Sequence, residues 1–157
     1  MTGPITGGCQ CGAVRFRVDG ALGRASICHC RMCQKAFGAF YGPLVSVRLA
    51  ELTWTRGERA TFQSSNKVRR GFCRDCGTPL TFECSDEVID LAIGAFDDPS
   101  PIKPQVQLAT DRALPWVHEI PDVRRIEVGG SQTLSEHHGS IVSYQHPDHD
   151  TAEWPPR

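Results

Sequence analysis

Apolar and polar residues alternate with a period of two in several stretches of the chain, the pattern of half-buried strands. Residues 13–19 show it most cleanly: Val14, Phe16 and Val18 fall on one side, Arg15, Arg17 and Asp19 on the other. The first three are expected to face inward and the last three to face water. Residues 41–54 carry Leu44, Val45, Val47, Leu49 and Leu52, enough for two strands or one interrupted strand. Residues 79–83, 88–96, 105–109 and 123–128 supply further candidates, with Val88, Ile89, Leu91, Ile93 and Phe96 in the second of these. Turn-forming residues separate them, as at Asp19-Gly20, Arg56-Gly57, Ser64-Ser65-Asn66 and the run from Asp97 to Pro101. Only residues 30–37 read as helix. The pattern predicts a mostly β, mostly antiparallel domain with long loops and one or two short helices.

The texture changes near Gly129. We therefore place a β domain over residues 5–128 and a polar C-terminal tail over 129–157. The tail holds His137, His138, His146 and His149, at a spacing that matches no standard ligand frame. It reads as a solvated tail, or as an arm laid over the body or over a neighbouring subunit of a homo-oligomer.

A chain of 157 residues is long enough for one domain with a real core. Its net charge of −1 gives no electrostatic footprint for nucleic acid or an anionic membrane. No apolar run approaches the ~20 residues that span a bilayer. The first residues, Met1-Thr2-Gly3-Pro4, carry neither the basic nor the apolar part of a secretory leader. The expectation is a soluble cytoplasmic protein with no nucleic-acid and no membrane partner.

In a reducing compartment, the eight cysteines are better explained as metal ligands or catalytic groups than as disulfides. Seven fall into three clusters: Cys9-Gln10-Cys11-Gly12, Cys28-His29-Cys30-Arg31-Met32-Cys33, and Cys73-Arg74-Asp75-Cys76-Gly77. A tight turn can aim two sulfurs at one tetrahedral zinc, whose Zn–S bonds are about 2.3 Å. Cys73 and Cys76 thus form half a zinc site, and Cys9 with Cys11 is a good partner pair. Four thiolates close a structural site. The middle cluster then offers three ligands, which leaves one position open, as in a catalytic zinc. Alternatives stand beside this pairing: Cys84 or His29 as a fourth ligand of the middle site, a permuted pairing, a redox disulfide between Cys30 and Cys33, or an iron–sulfur cluster.

The three clusters in this order resemble the glutathione-dependent formaldehyde-activating enzyme family, which also includes centromere protein V. The likeness extends to Gly38, to the run from Leu91 to Pro99 and to Trp116, and covers roughly residues 5–126. It implies a zinc-pinned antiparallel β-tent and two Zn²⁺ ions per chain. Cys9, Cys11, Cys73 and Cys76 would hold the structural zinc, and Cys28, Cys30 and Cys33 the catalytic one. It also implies a carbon–sulfur lyase-type enzyme that handles thiol–aldehyde adducts, with glutathione and formaldehyde giving S-hydroxymethylglutathione. The other readings are a non-enzymatic two-zinc module that binds a protein partner, and a B-type methionine sulfoxide reductase, for which only Cys84 is spare. Cys84 has no role in the family pattern; beside a strand-like segment it reads as a small buried apolar residue.

Overall fold

The computed structural model describes residues 4–154. Among the described residues ten strands form: β1 (Ile5–Gly8), β2 (Arg15–Val18), β3 (Ala25–Cys28), β4 (Gly42–Arg48), β5 (Leu52–Arg56), β6 (Ala60–Gln63), β7 (Arg69–Phe72), β8 (Pro79–Glu83), β9 (Val88–Ala92) and β10 (Val106–Leu108). A short helix, α1 (Arg31–Phe37), follows β3, and α2 (Gln132–Gly139) lies in the C-terminal segment. The strands make two sheets, ordered β1-β2-β5 and β10-β3-β4-β9-β8-β7-β6. Pairing is antiparallel except between β10 and β3, which run parallel.

The alternating pattern decides which faces meet. Phe16 and Val18 of the small sheet are fully buried against Val45, Val47, Leu80, Ile89 and Leu91 of the large one. Phe16 sits edge-on to Phe96 at 5.1 Å and to Trp54 at 6.0 Å. Gly7 of the small sheet also forms an isolated bridge with Phe96, just past β9. A Cβ at Gly7 would fall 2.4 Å from the Ala95 carbonyl oxygen and 2.5 Å from the Phe16 ring, so only glycine admits this approach.

Two expectations fail for identifiable reasons. Residues 123–128 form no strand: a 3-10 helix, Val117–Asp122, runs up to them, and Val123 and Ile126 stay exposed. An isolated apolar–polar alternation with no neighbouring edge to pair with does not make a strand. Arg15, expected in water, is buried at 3% exposure. Its guanidinium forms a two-pronged bond to Asp97, 2.7 and 2.6 Å, and a further one to Asp150 at 2.7 Å. Burial acts against the charge of each group, yet the paired hydrogen bonds hold Arg15 above and Asp97 below their ordinary ranges.

Asp150 belongs to an arm that runs back over the body. The His146 N–H donates to the Gln10 carbonyl at 2.8 Å, and its ring packs edge-on to Trp154 at 4.9 Å. Arg56 donates to the carbonyl of Gly12 at 3.1 Å and to the hydroxyl of Thr151 at 3.0 Å. Gly12 has φ +76°, and a Cβ there would strike the His146 ring. Of the readings for the tail, the arm laid over its own body describes residues 145–154. No helix among the described residues is long and apolar enough to cross a membrane.

Removing one partner of a buried ion pair strands the other, at a cost of about 3–5 kcal/mol, whereas an exposed partner contributes about 1 kcal/mol or less. Asp97→Asn should therefore lower the melting temperature far more than Asp150→Asn. The second variant should instead open the arm to limited proteolysis. Equal melting temperatures for the two would contradict this division.

Candidate metal centre

The first cluster joins the two sheets. Cys9 and Cys11 sit in the loop between β1 and β2, where the Cys9 N–H donates to Val14 O at 2.9 Å and the Gly12 N–H to Cys9 O at 3.0 Å. Cys73 and Cys76 sit in the loop between β7 and β8, closed by Gly77 N–H to Cys73 O at 2.9 Å, with Gly77 at φ +77°. The Thr78 hydroxyl ties the loops together, accepting from the Gln10 N–H at 3.0 Å and lying 3.1 Å from Cys76 Sγ. All four sulfurs lie within 4.8 Å of one another, with Cys9–Cys11 at 3.6 Å and Cys11–Cys73 at 3.8 Å.

Those separations fit a metal and not a disulfide. A disulfide needs about 2.05 Å between sulfurs; a tetrahedron with bonds of about 2.3 Å has edges of about 3.8 Å. Proton affinity points the same way. Burial raises the thiols of Cys9 and Cys73. Cys76 is lowered to about 6 although burial opposes it, because the Thr78 hydroxyl, backbone N–H groups and Cys11 stabilise its thiolate. Four closely set sulfurs are a soft donor set for a closed tetrahedral ion such as zinc.

The second cluster forms where β3 passes into α1. Cys28 ends the strand. Cys30 caps the helix, its sulfur accepting from the Cys33 N–H at 3.4 Å, and Cys33 lies in the first turn. Their three sulfurs also lie within 4.8 Å of one another. Burial pushes the Cys33 thiol up to about 12, with Arg70 acting the other way. Cys30 is lowered, its hydrogen bonds from Cys33 and Cys28 outweighing burial. Arg70 donates through Nη2 to Cys33 Sγ at 3.3 Å. His29, between two of these cysteines, is turned away into the fold: its N–H donates to Leu108 O at 2.9 Å and its Nε2 meets Gln107 Oε1 at 2.8 Å. Gln34, also buried, donates to His29 O at 2.8 Å and to Arg112 O at 3.2 Å, which locks the helix onto the segment after β10.

The structure thus brings together the seven cysteines in the two groups expected from their spacing, and the permuted pairing is not the one formed. All eight cysteines are free thiols. Cys84 joins neither group and is exposed just past the end of β8, so it is neither a buried apolar residue nor a fourth ligand. Among the described residues, the tail histidines form no ligand cluster with neighbouring groups. The sequence reading missed Arg70, Gln34 and Gln107. Arg70 and Gln107 come from other strands, and no local spacing connects them to the cluster.

A family model described as glutathione-dependent formaldehyde-activating enzyme matches residues 4–112, more than two thirds of the chain. The chain belongs to this family. No curated protein matches it. Among solved structures, a crystal structure of a Rhodobacter sphaeroides protein is similar, with a TM-score of 0.54 at 23% identity. The likeness covers 65% of this chain and 98% of that one, and shows a shared fold. The family match spans both loops of the first cluster and the whole of the second.

A metal bound only by the folded state contributes its binding free energy to folding. Cys76→Ser should therefore give a protein that unfolds or aggregates. A Cys76→Ser variant with unchanged metal content and melting temperature would contradict a structural role for the first cluster.

Proposed function

We propose that the chain is a zinc-dependent enzyme of carbon–sulfur lyase type that adds a thiol such as glutathione to formaldehyde or a similar small aldehyde. The observation that carries this is the contrast between the two clusters: four sulfurs at one, three at the other. Cys9, Cys11, Cys73 and Cys76 hold a structural Zn²⁺ that pins a β-tent, with residues 5–128 as the working domain and 129–157 as its tail. Cys28, Cys30 and Cys33 hold the second Zn²⁺. Bound there, zinc supplies an open coordination position that keeps a thiol as thiolate near neutral pH.

The remaining work belongs to the protein. In the addition, the thiol sulfur forms a bond to the carbonyl carbon, the C=O π pair moves to oxygen, and the proton given up by the thiol ends on that oxygen. Holding two small reactants side by side supplies much of the acceleration such a reaction needs. Beside α1, Arg31, Met32, Lys35, Ala36, Phe62 and Ser64 line a pocket of about 310 Å³. Arg31 and Lys35 suit the carboxylates of a peptide thiol, and Met32 and Phe62 its methylene stems. Phe40 and Trp116, edge-on at 4.7 Å, expose an apolar corner after α1.

Protein purified without chelator should carry about two zinc ions per chain, and dialysis against excess glutathione should release or re-ligate one of them. Cys30→Ser should stay folded, keep about one ion and lose thiol-dependent activity. Two ions that both ignore glutathione would favour a non-enzymatic two-zinc binding module, and loss of all metal in Cys30→Ser would contradict the division of sites.

A further inference from the structure

Arg70 is a buried cation in an unusual position. It extends from β7, is 3% exposed, and donates through Nε to Ser64 Oγ at 3.0 Å and through Nη2 to Cys33 Sγ at 3.3 Å. Its guanidinium carbon lies 4.9 Å from the centre of the Phe82 ring. The other buried arginine, Arg15, is neutralised by two carboxylates. Among the described residues Arg70 has no carboxylate partner; Glu83, the nearest acidic residue along its neighbouring strand, is taken by Arg59 and Arg69. Arginine stays protonated in proteins, and a buried charge needs a counter-charge. The group that Arg70 faces and that can carry one is the sulfur of Cys33.

We propose that Arg70 is a positioning residue whose fixed charge neutralises the three-cysteine cluster and so lets it accept an anionic fourth ligand. This rests on the reading of that cluster as the site for an exogenous thiol. A divalent ion with three thiolates carries −1. The guanidinium would bring the assembly to zero, and an incoming thiolate would return it to −1 instead of driving it to −2 beside the buried Cys33 sulfur. The hydrogen bond to Cys33 also withdraws electron density from one donor sulfur, which strengthens the pull on a fourth. The first cluster differs: Cys9 Sγ accepts from the Val14 N–H at 3.2 Å and Cys76 Sγ pairs with the Thr78 hydroxyl, neutral groups suited to a closed site that admits nothing further.

The test uses the full chain loaded with cobalt(II), whose sulfur-to-metal absorption reports ligand changes, titrated with glutathione and with neutral imidazole. Arg70→Gln, which keeps a donor and removes the charge, should weaken glutathione binding about 10- to 100-fold while leaving imidazole binding nearly unchanged. Arg70→Lys should recover most of the loss. A glutamine variant that holds two ions and binds glutathione like the native chain would overturn the proposal, as would equal losses for glutathione and imidazole, or a folded lysine variant no better than glutamine. Should Arg70→Gln fail to fold, Arg70→Lys decides: folded and keeping the charge, it should bind glutathione within about 10-fold of the native chain, and a loss of about 100-fold or more overturns the proposal. A native chain that holds two ions and takes no thiol would sink the functional reading and this inference together, whereas an unchanged glutamine variant sinks only this inference.

Discussion

Four sulfurs meeting at one point set the terms for the rest of this fold. Two come from the loop after β1 in the small sheet and two from the loop after β7 in the large one, so the cluster lies where one sheet meets the other. All four pack on the hydrophobic core, two as members of it and two against it. Their separations are too long for disulfides and match the edges of a thiolate tetrahedron, so a soft cation suits the geometry. The glycines that end the two turns, the Thr78 hydroxyl shared between the loops and the arm laid across Gly12 all serve to hold these sulfurs in place.

The second cluster is built on another plan. It lies at a junction of strand and helix, outside the main core, with one buried sulfur and two partly exposed. Its shape depends on distant segments: Gln34 reaches the segment after β10, His29 is held by Gln107, and Arg70 arrives from β7. The open coordination site proposed here would gain from this, because its ligands are fixed from behind. The cost of burying Arg70 is recovered only when the sulfur it faces is charged, as it would be as a ligand of a bound ion.

The cysteine clusters were legible in the sequence because short cysteine spacings are local, and the strands with regular alternation, β2, β4, β5, β8 and β9, were legible for the same reason. What escaped was non-local. β1 is half glycine, and its closeness to Phe96 shows only in the folded chain. β6 is a largely exposed edge strand and β7 opens with two arginines, so neither displays the apolar rhythm that the search relies on. Arg15 was expected in water and Arg70 was given no role; Arg15 is buried because Asp97 and Asp150, far along the chain, compensate its charge, and Arg70 is buried against Ser64 and the Cys33 sulfur. Residues 123–128 made the opposite error, an apolar rhythm with no strand beside it.

The claim that the two clusters differ as closed and open metal sites is tested most directly by X-ray absorption at the zinc edge on the two-ion protein, before and after glutathione. The account predicts sulfur neighbours from four cysteines at one ion and three at the other, plus a lighter neighbour that sulfur replaces when glutathione is added. An all-sulfur shell from the start, unchanged by glutathione, would contradict it.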